Sequence, residues 1–99
     1  MKRILTILAL IGFAPALMAE DKATSCGYQA DVVAAVQAAH LDRVREASLE
    51  AHILDSAPDW PEKYNRVIPL VAPWVYGQTR RDLRANDLGA VWNEMCLQQ

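Results

Sequence analysis

The sequence predicts an all-α domain, a small bundle of four to five short helices closed by one disulfide between Cys26 and Cys96. Three observations predict it. Apolar residues recur at helical spacing in successive segments after residue 25. No stretch beyond residue 19 alternates apolar and polar residues as a strand would, glycine is scarce, and Asn-Gly and Asp-Gly turns are missing. The two cysteines stand near opposite ends of that region, where a small domain needs a staple, because a core of this size supplies only about 3 to 5 kcal/mol. Closing a loop of about 70 residues contributes roughly 4 kcal/mol in the chain-entropy model, which rivals the core.

The N-terminus has the layout of a leader. Lys2 and Arg3 precede an apolar run from Ile4 to Met18, interrupted by Thr6, Gly12 and Pro15. This is the charged and apolar order of a Sec-type signal peptide, and the run is short of the ~20 apolar residues of a membrane span. Cleavage is expected after Ala19 or after Ala16, the first leaving a chain that opens on Glu20, Asp21 and Lys22. Cys26 follows Ala23, Thr24 and Ser25 beyond a charged stretch, which does not suit a lipid-anchored cysteine. The domain organisation is therefore a signal peptide over 1–19 and one helical domain over 20–99, periplasmic or secreted, with no stable membrane insertion after cleavage. Loss of Lys2 and Arg3 takes the net charge from −2 to −4. An acidic surface argues against nucleic acid as a partner. An oxidising compartment favours pairing of the cysteines.

The first helix is expected to start at Ser25 as its cap, with Tyr28, Val32, Val36 and Ala39 on one face, Val33 and Leu41 alongside, and Gln29, Asp31 and Gln37 off it. From Asp42 to Glu50 the chain is laced with charges at pairing distance. Neither Gly nor Pro forbids one helix from Tyr28 to Ala57, but a bend near 44–48, with Ser48 capping a second helix through Leu49, Ile53 and Leu54, is the preferred reading. Ser56 to Asp59 break the chain, and Trp60 to Glu62 start a helix with Pro61 in its first turn. Tyr64, Val67, Ile68, Val71, Trp74 and Val75 share a face, while Pro69 and Pro73 predict a kink or a division near residue 69. Gly77 ends that segment, and Thr79 with Asp82 marks a brief extra turn. Asn86 or Asp87 caps the last helix, which carries Leu88, Val91, Trp92, Met95 and Cys96 at i, i+3, i+4, i+7 and i+8. An antiparallel bundle with an even number of helices would bring Cys26 and Cys96 to one end.

The stretches Asp59-Trp60-Pro61-Glu62, Pro73-Trp74-Val75-Tyr76 and Asp87-Leu88-Gly89-Ala90, leading to Cys96, resemble a group of small exported helical proteins of alphaproteobacteria. The resemblance runs from Tyr28 to the C-terminus and implies no activity. In size, export, helices and a single disulfide the chain is also similar to the periplasmic acid-stress chaperones, a likeness of architecture alone.

No catalytic role is expected. Ser25, Ser48 and Ser56 sit in no nucleophile elbow, and no Gly-rich loop or paired His and Cys supplies a phosphate cradle, base or metal site. His40 and His52 would lie about 18 Å apart on one helix, too far to share a metal, and their bland reading is structural or solvated with pH sensing as the alternative. No cofactor or metal is expected. Trp60, Tyr64, Trp74 and Tyr76 are the candidates for a ligand or partner groove, against ordinary core filling. Arg80, Arg81 and Arg84, with Arg66 nearby, are the candidates for an anion contact, against a solvated helix end. The expected function is a helical binding or protein-interaction module, monomeric or weakly dimeric, for an unknown protein or small ligand. The alternatives are an acid-responsive chaperone and a small inhibitor of a secreted enzyme.

Overall fold

Asp21 opens the first helix, its Oδ1 accepting the backbone N–H of Thr24 at 2.7 Å. The computed structural model describes residues 20–99, so the leader read over 1–19 and its cleavage positions lie outside the described residues. Helix α1 runs Lys22–Leu41. Its cap stands one turn before the expected Ser25, whose hydroxyl accepts from Gln29 Nε2 at 3.2 Å instead. A carboxylate one turn upstream is a strong cap for a helix N-terminus.

α1 stops in a Schellman turn. The Val44 N–H donates to the Ala39 carbonyl at 2.9 Å and the Arg43 N–H to that of His40 at 3.1 Å. Arg43 holds φ 66, a left-handed backbone that costs a residue with a side chain about 1 kcal/mol. This decides between one helix and two. A 3-10 turn over Glu46–Ser48 leads into α2, Leu49–Asp55, where Ser48 occupies the cap position without a side-chain bond. α2 is followed by a second left-handed residue, Ala57 at φ 51.

After Pro61 a 3-10 helix over Glu62–Arg66 passes directly into α3, Val67–Tyr76. The expected division at residue 69 thus falls earlier, between Arg66 and Val67. Pro69 lies in the first turn of α3, where its missing N–H is harmless, while Pro73 is interior and cannot donate to the Pro69 carbonyl. Both prolines are exposed. Thr79 caps α4, Arg80–Ala85, and Asp87 caps α5, Leu88–Leu97, through bonds from Asp82 N at 3.1 Å and Ala90 N at 3.0 Å.

α1 is the axis of the molecule. Tyr28 meets Tyr64 and His40 meets Tyr76, with ring centroids 5.2 and 4.3 Å apart, so α3 runs parallel to α1. α5 runs antiparallel to it, because Cys26 is bonded to Cys96 while Gln37 meets Leu88. Five helices rather than an even number still bring the cysteines together, with Cα atoms 5.7 Å apart. The six residues of α4 advance only about 9 Å, so α4 acts as a corner between α3 and α5.

Val32, Val33, Val36 and Ala39 of α1 form one core with Leu49 and Ile53 of α2, Ile68, Val71 and Val75 of α3, and Leu83 and Leu88. Since helices pack on several sides of α1, its buried stripe is wide and takes in Gln37, expected outside it. Gln37 donates through Nε2 to the carbonyls of Leu83 and Asn86, both at 2.7 Å, and accepts from Leu88 N at 3.0 Å. One side chain thereby joins α1 to both sides of the α4–α5 junction.

α5 is rolled from its expected face. Val91 and Met95 are 42 and 45 % exposed, while Gly89 is buried. A methyl group on Gly89 would stand 2.9 Å from the Ala30 carbonyl oxygen and 3.5 Å from the Ala34 Cβ, so the absent side chain lets the two backbones approach. Gly89→Ala should lower stability by about 1 to 3 kcal/mol, although alanine favours a helix interior by about 1 kcal/mol. Thermal melts of the two proteins check this. An unchanged or higher melting temperature would show that the backbones can part without loss.

Candidate functional site

α3 and α5 each pack along α1 but scarcely touch one another, meeting through Trp74 and Trp92 with ring centroids 6.0 Å apart. Between them lies an open trough with α1 as its floor. Its first part, about 560 Å³, is lined by Glu20, Ser25 and Gln29 on one side and Lys63, Tyr64, Arg66, Val67 and Leu70 on the other. Its second part, about 340 Å³, is lined by Gln29, Trp92, Met95, Cys96 and Gln99. Gln29 is common to both.

The two parts differ chemically. In the first, Glu20 accepts a hydrogen bond from the Tyr64 hydroxyl and pairs with Lys63 Nζ at 3.1 Å. The Tyr64 bond first, and Lys63 second, hold the Glu20 carboxyl below its ordinary range, while Glu20 raises the Lys63 ammonium. The contribution of this exposed contact is present above the ordinary carboxylate range and is lost as pH falls through the lowered Glu20 value. Arg66 Nε donates to the Lys63 carbonyl at 3.1 Å, and its guanidinium forms no ion pair among the described residues.

The second part is the more apolar, lined by Trp92, Met95 and Cys96 of α5 with Gln29 and Gln99 as its polar residues. Leu70, one turn before Trp74 on α3 and 73 % exposed, belongs to the first part, beside Lys63 and Arg66. The Trp92 indole N–H donates to Gln29 Oε1 at 3.0 Å, and Gln29 Nε2 donates to Ser25, so the amide in the floor has both its ends engaged.

The four aromatics expected to form a groove do not share one opening. Tyr64 is buried beneath the charged part of the trough, and Trp74 lines neither part, meeting Trp92 instead. Trp60 is half-buried, its indole N–H donating to Asn65 Oδ1 at 2.8 Å. Tyr76 lies at the far end of α3, stacked on His40, with its hydroxyl donating to the Val44 carbonyl at 2.7 Å. Burial, and then the charge of Glu46, raise the Tyr76 phenol above its ordinary value. Of the remaining trough residues, Gln29 was expected off the buried face of α1 and Trp92 and Met95 on that of the last helix, while Leu70 carried no expectation. The packing of α3 and α5 against α1 brings them to hollows that share Gln29, and no local pattern encodes that packing.

Arg80, Arg81 and Arg84 lie on α4, with Arg80 half-buried beside His40, Gln78 and Thr79. Arg66 is not near them, being ten positions before Tyr76 at the opposite end of α3, about 15 Å along the helix. His40 Nε2–H donates to the Gln78 carbonyl at 3.2 Å, and His52 is exposed on α2. Among the described residues no helix is long and apolar enough to cross a membrane, and the one disulfide is compatible with an extracytoplasmic location.

No family model, curated protein or solved structure matches the chain. The trough must therefore be read from its own chemistry.

Proposed function

We propose that this chain is an exported helical binding module whose site is the trough between α3 and α5. The observation that carries the reading is the exposure of Leu70 in one part of the trough and of Met95 in the other, in a domain that otherwise buries most of its large aliphatic side chains. A hollow that sets polar groups beside apolar walls is a usual form of ligand site, and the volumes of the two parts lie within the roughly 300 to 1,000 Å³ range of such sites. The leader at Lys2, Arg3 and the apolar run that follows supports export to the periplasm or beyond, with Glu20 as the first residue after cleavage. A soluble guest that meets the protein outside the cytoplasm fits both features.

A neutral environment-sensitive dye, N-phenyl-1-naphthylamine, tests the site. It should bind the native protein saturably at neutral pH, and Leu70→Asp should weaken binding by about tenfold, the effect of placing a charge against an apolar guest. Near-UV circular dichroism should be unchanged by the substitution, because Leu70 lies largely in solvent. Failure of the native protein to bind the dye would remove the trough as a site. Binding only after acidification would instead favour the chaperone-like reading.

A further inference from the structure

We propose that Cys96 is a thiol-exchange site, the sulfur of the staple that a small free thiol, such as one built on a cysteine, attacks while the domain stays folded. The two sulfurs are unequally placed. Cys26 is 1 % exposed in α1, whereas Cys96 is half-buried and lines the second hollow with Gln29, Trp92, Met95 and Gln99. Cys96 Sγ stands 3.9 Å from Gln29 Oε1, so this end of the bond adjoins the hollow's own residues. A thiolate reaches the sulfur it attacks from behind, in line with the bond that breaks, and access therefore selects the sulfur. The hollow, about 340 Å³, admits a small thiol and is too small for a folded domain.

The step exchanges one disulfide for another. The incoming thiolate forms a bond to Cys96 Sγ, and the Cys26–Cys96 bond breaks with its electron pair going to Cys26 Sγ. That sulfur then takes up the proton that the incoming thiol gave to water. No oxidant or reductant beyond the thiol is needed, since one disulfide is lost and one is made. Electrostatics act in the same sense as access. Cys96 lies in the last turn of α5, where the negative end of the helix disfavours an anion, while Lys22 stands one turn before Cys26 on α1. Negative charge is thus better placed on Cys26, the departing sulfur, although its burial makes the departure slow. Until the opened domain unfolds, the close approach of Gly89 to Ala30 and the bond from Trp92 to Gln29 hold α5 on α1, so the Cys26 thiol can return and expel the adduct.

Glutathione tests this on the disulfide-closed protein in the cold. Early samples are quenched in acid, and the remaining thiol is labelled with N-ethylmaleimide in denaturant before peptide mass mapping. Glutathione on Cys96 with the label on Cys26 should exceed the reverse pairing about tenfold, and in the urea-unfolded chain the two pairings should approach equality. The native rate should be unchanged by urea too dilute to unfold the domain, because attack through the hollow exposes no new surface. Met95→Trp, a larger side chain at a half-exposed position beside Cys96, should narrow the hollow and slow exchange about fivefold. Glutathione on Cys26 in equal or greater amount, or the same partition in folded and unfolded chain, would overturn the proposal. So would a rate that climbs steeply in dilute urea, the mark of attack on an opened chain, or an unchanged rate in Met95→Trp.

Discussion

Replacing both Cys26 and Cys96 with alanine should lower stability by about 4 kcal/mol, the largest loss expected from any local change to this domain. The bond closes a loop whose ends are 70 positions apart, so its removal returns most of the chain's conformational freedom to the unfolded state. It also has a folded-state component, because Cys26 is buried in α1 and Cys96 borders the trough beside Trp92. A domain of about 80 residues has a total stability of the same order, so the double variant should be largely unfolded near body temperature. Urea unfolding of the oxidised, reduced and double-alanine proteins measures the difference. If the three midpoints agree, the bond is an ornament on a fold that stands without it.

Gln37→Ala should destabilise by about 2 to 4 kcal/mol, because it strips partners from the Leu83 and Asn86 carbonyls and the Leu88 N–H at once. Gln37→Glu separates this from simple loss of volume. An ionised carboxylate keeps the acceptor for Leu88 N but faces two carbonyls it cannot donate to, so the variant should be the less stable of the two at neutral pH. Its carboxyl should be driven upward in the folded state, so the protonated form is favoured there. The repulsion is then absent well below the ordinary carboxylate value and grows as pH rises through it, and the stability gap from the parent should narrow on acidification. A gap that is flat with pH would mean that the α4–α5 junction opens to water around the charge.

These two contacts show what was legible in the sequence. Two cysteines near opposite ends of a small domain announce a staple, and the helices around them follow from apolar spacing with Thr79 and Asp87 as caps. Gln37 is another matter. A glutamine amid apolar spacing reads as a solvated edge, and only the arrival of α4 and α5 at that point of α1 turns it into a buried clamp. Gly89 was likewise legible as a helix residue but not as the place where α5 settles onto Ala30 and Ala34. The end of α1 carries no glycine to mark it, so the left-handed Arg43 could be met only as a bend of uncertain place. The trough was the least visible feature, since its walls come from segments far apart in the chain whose side-by-side placement depends on the direction in which α3 returns.

Lys22 Nζ donates to the main-chain carbonyl of Gln99, so the two ends of the domain touch. Such a chain lends itself to circular permutation: a short linker from Gln99 back to Glu20, with new termini opened beside Ala57, would retain the helices and reorder only their connections. In that rewired polypeptide the Cys26–Cys96 bond would span just the linker and its flanks. Whatever stability the bond still conferred would then measure its role in the native packing, with nearly all of the tethering of the denatured chain taken away.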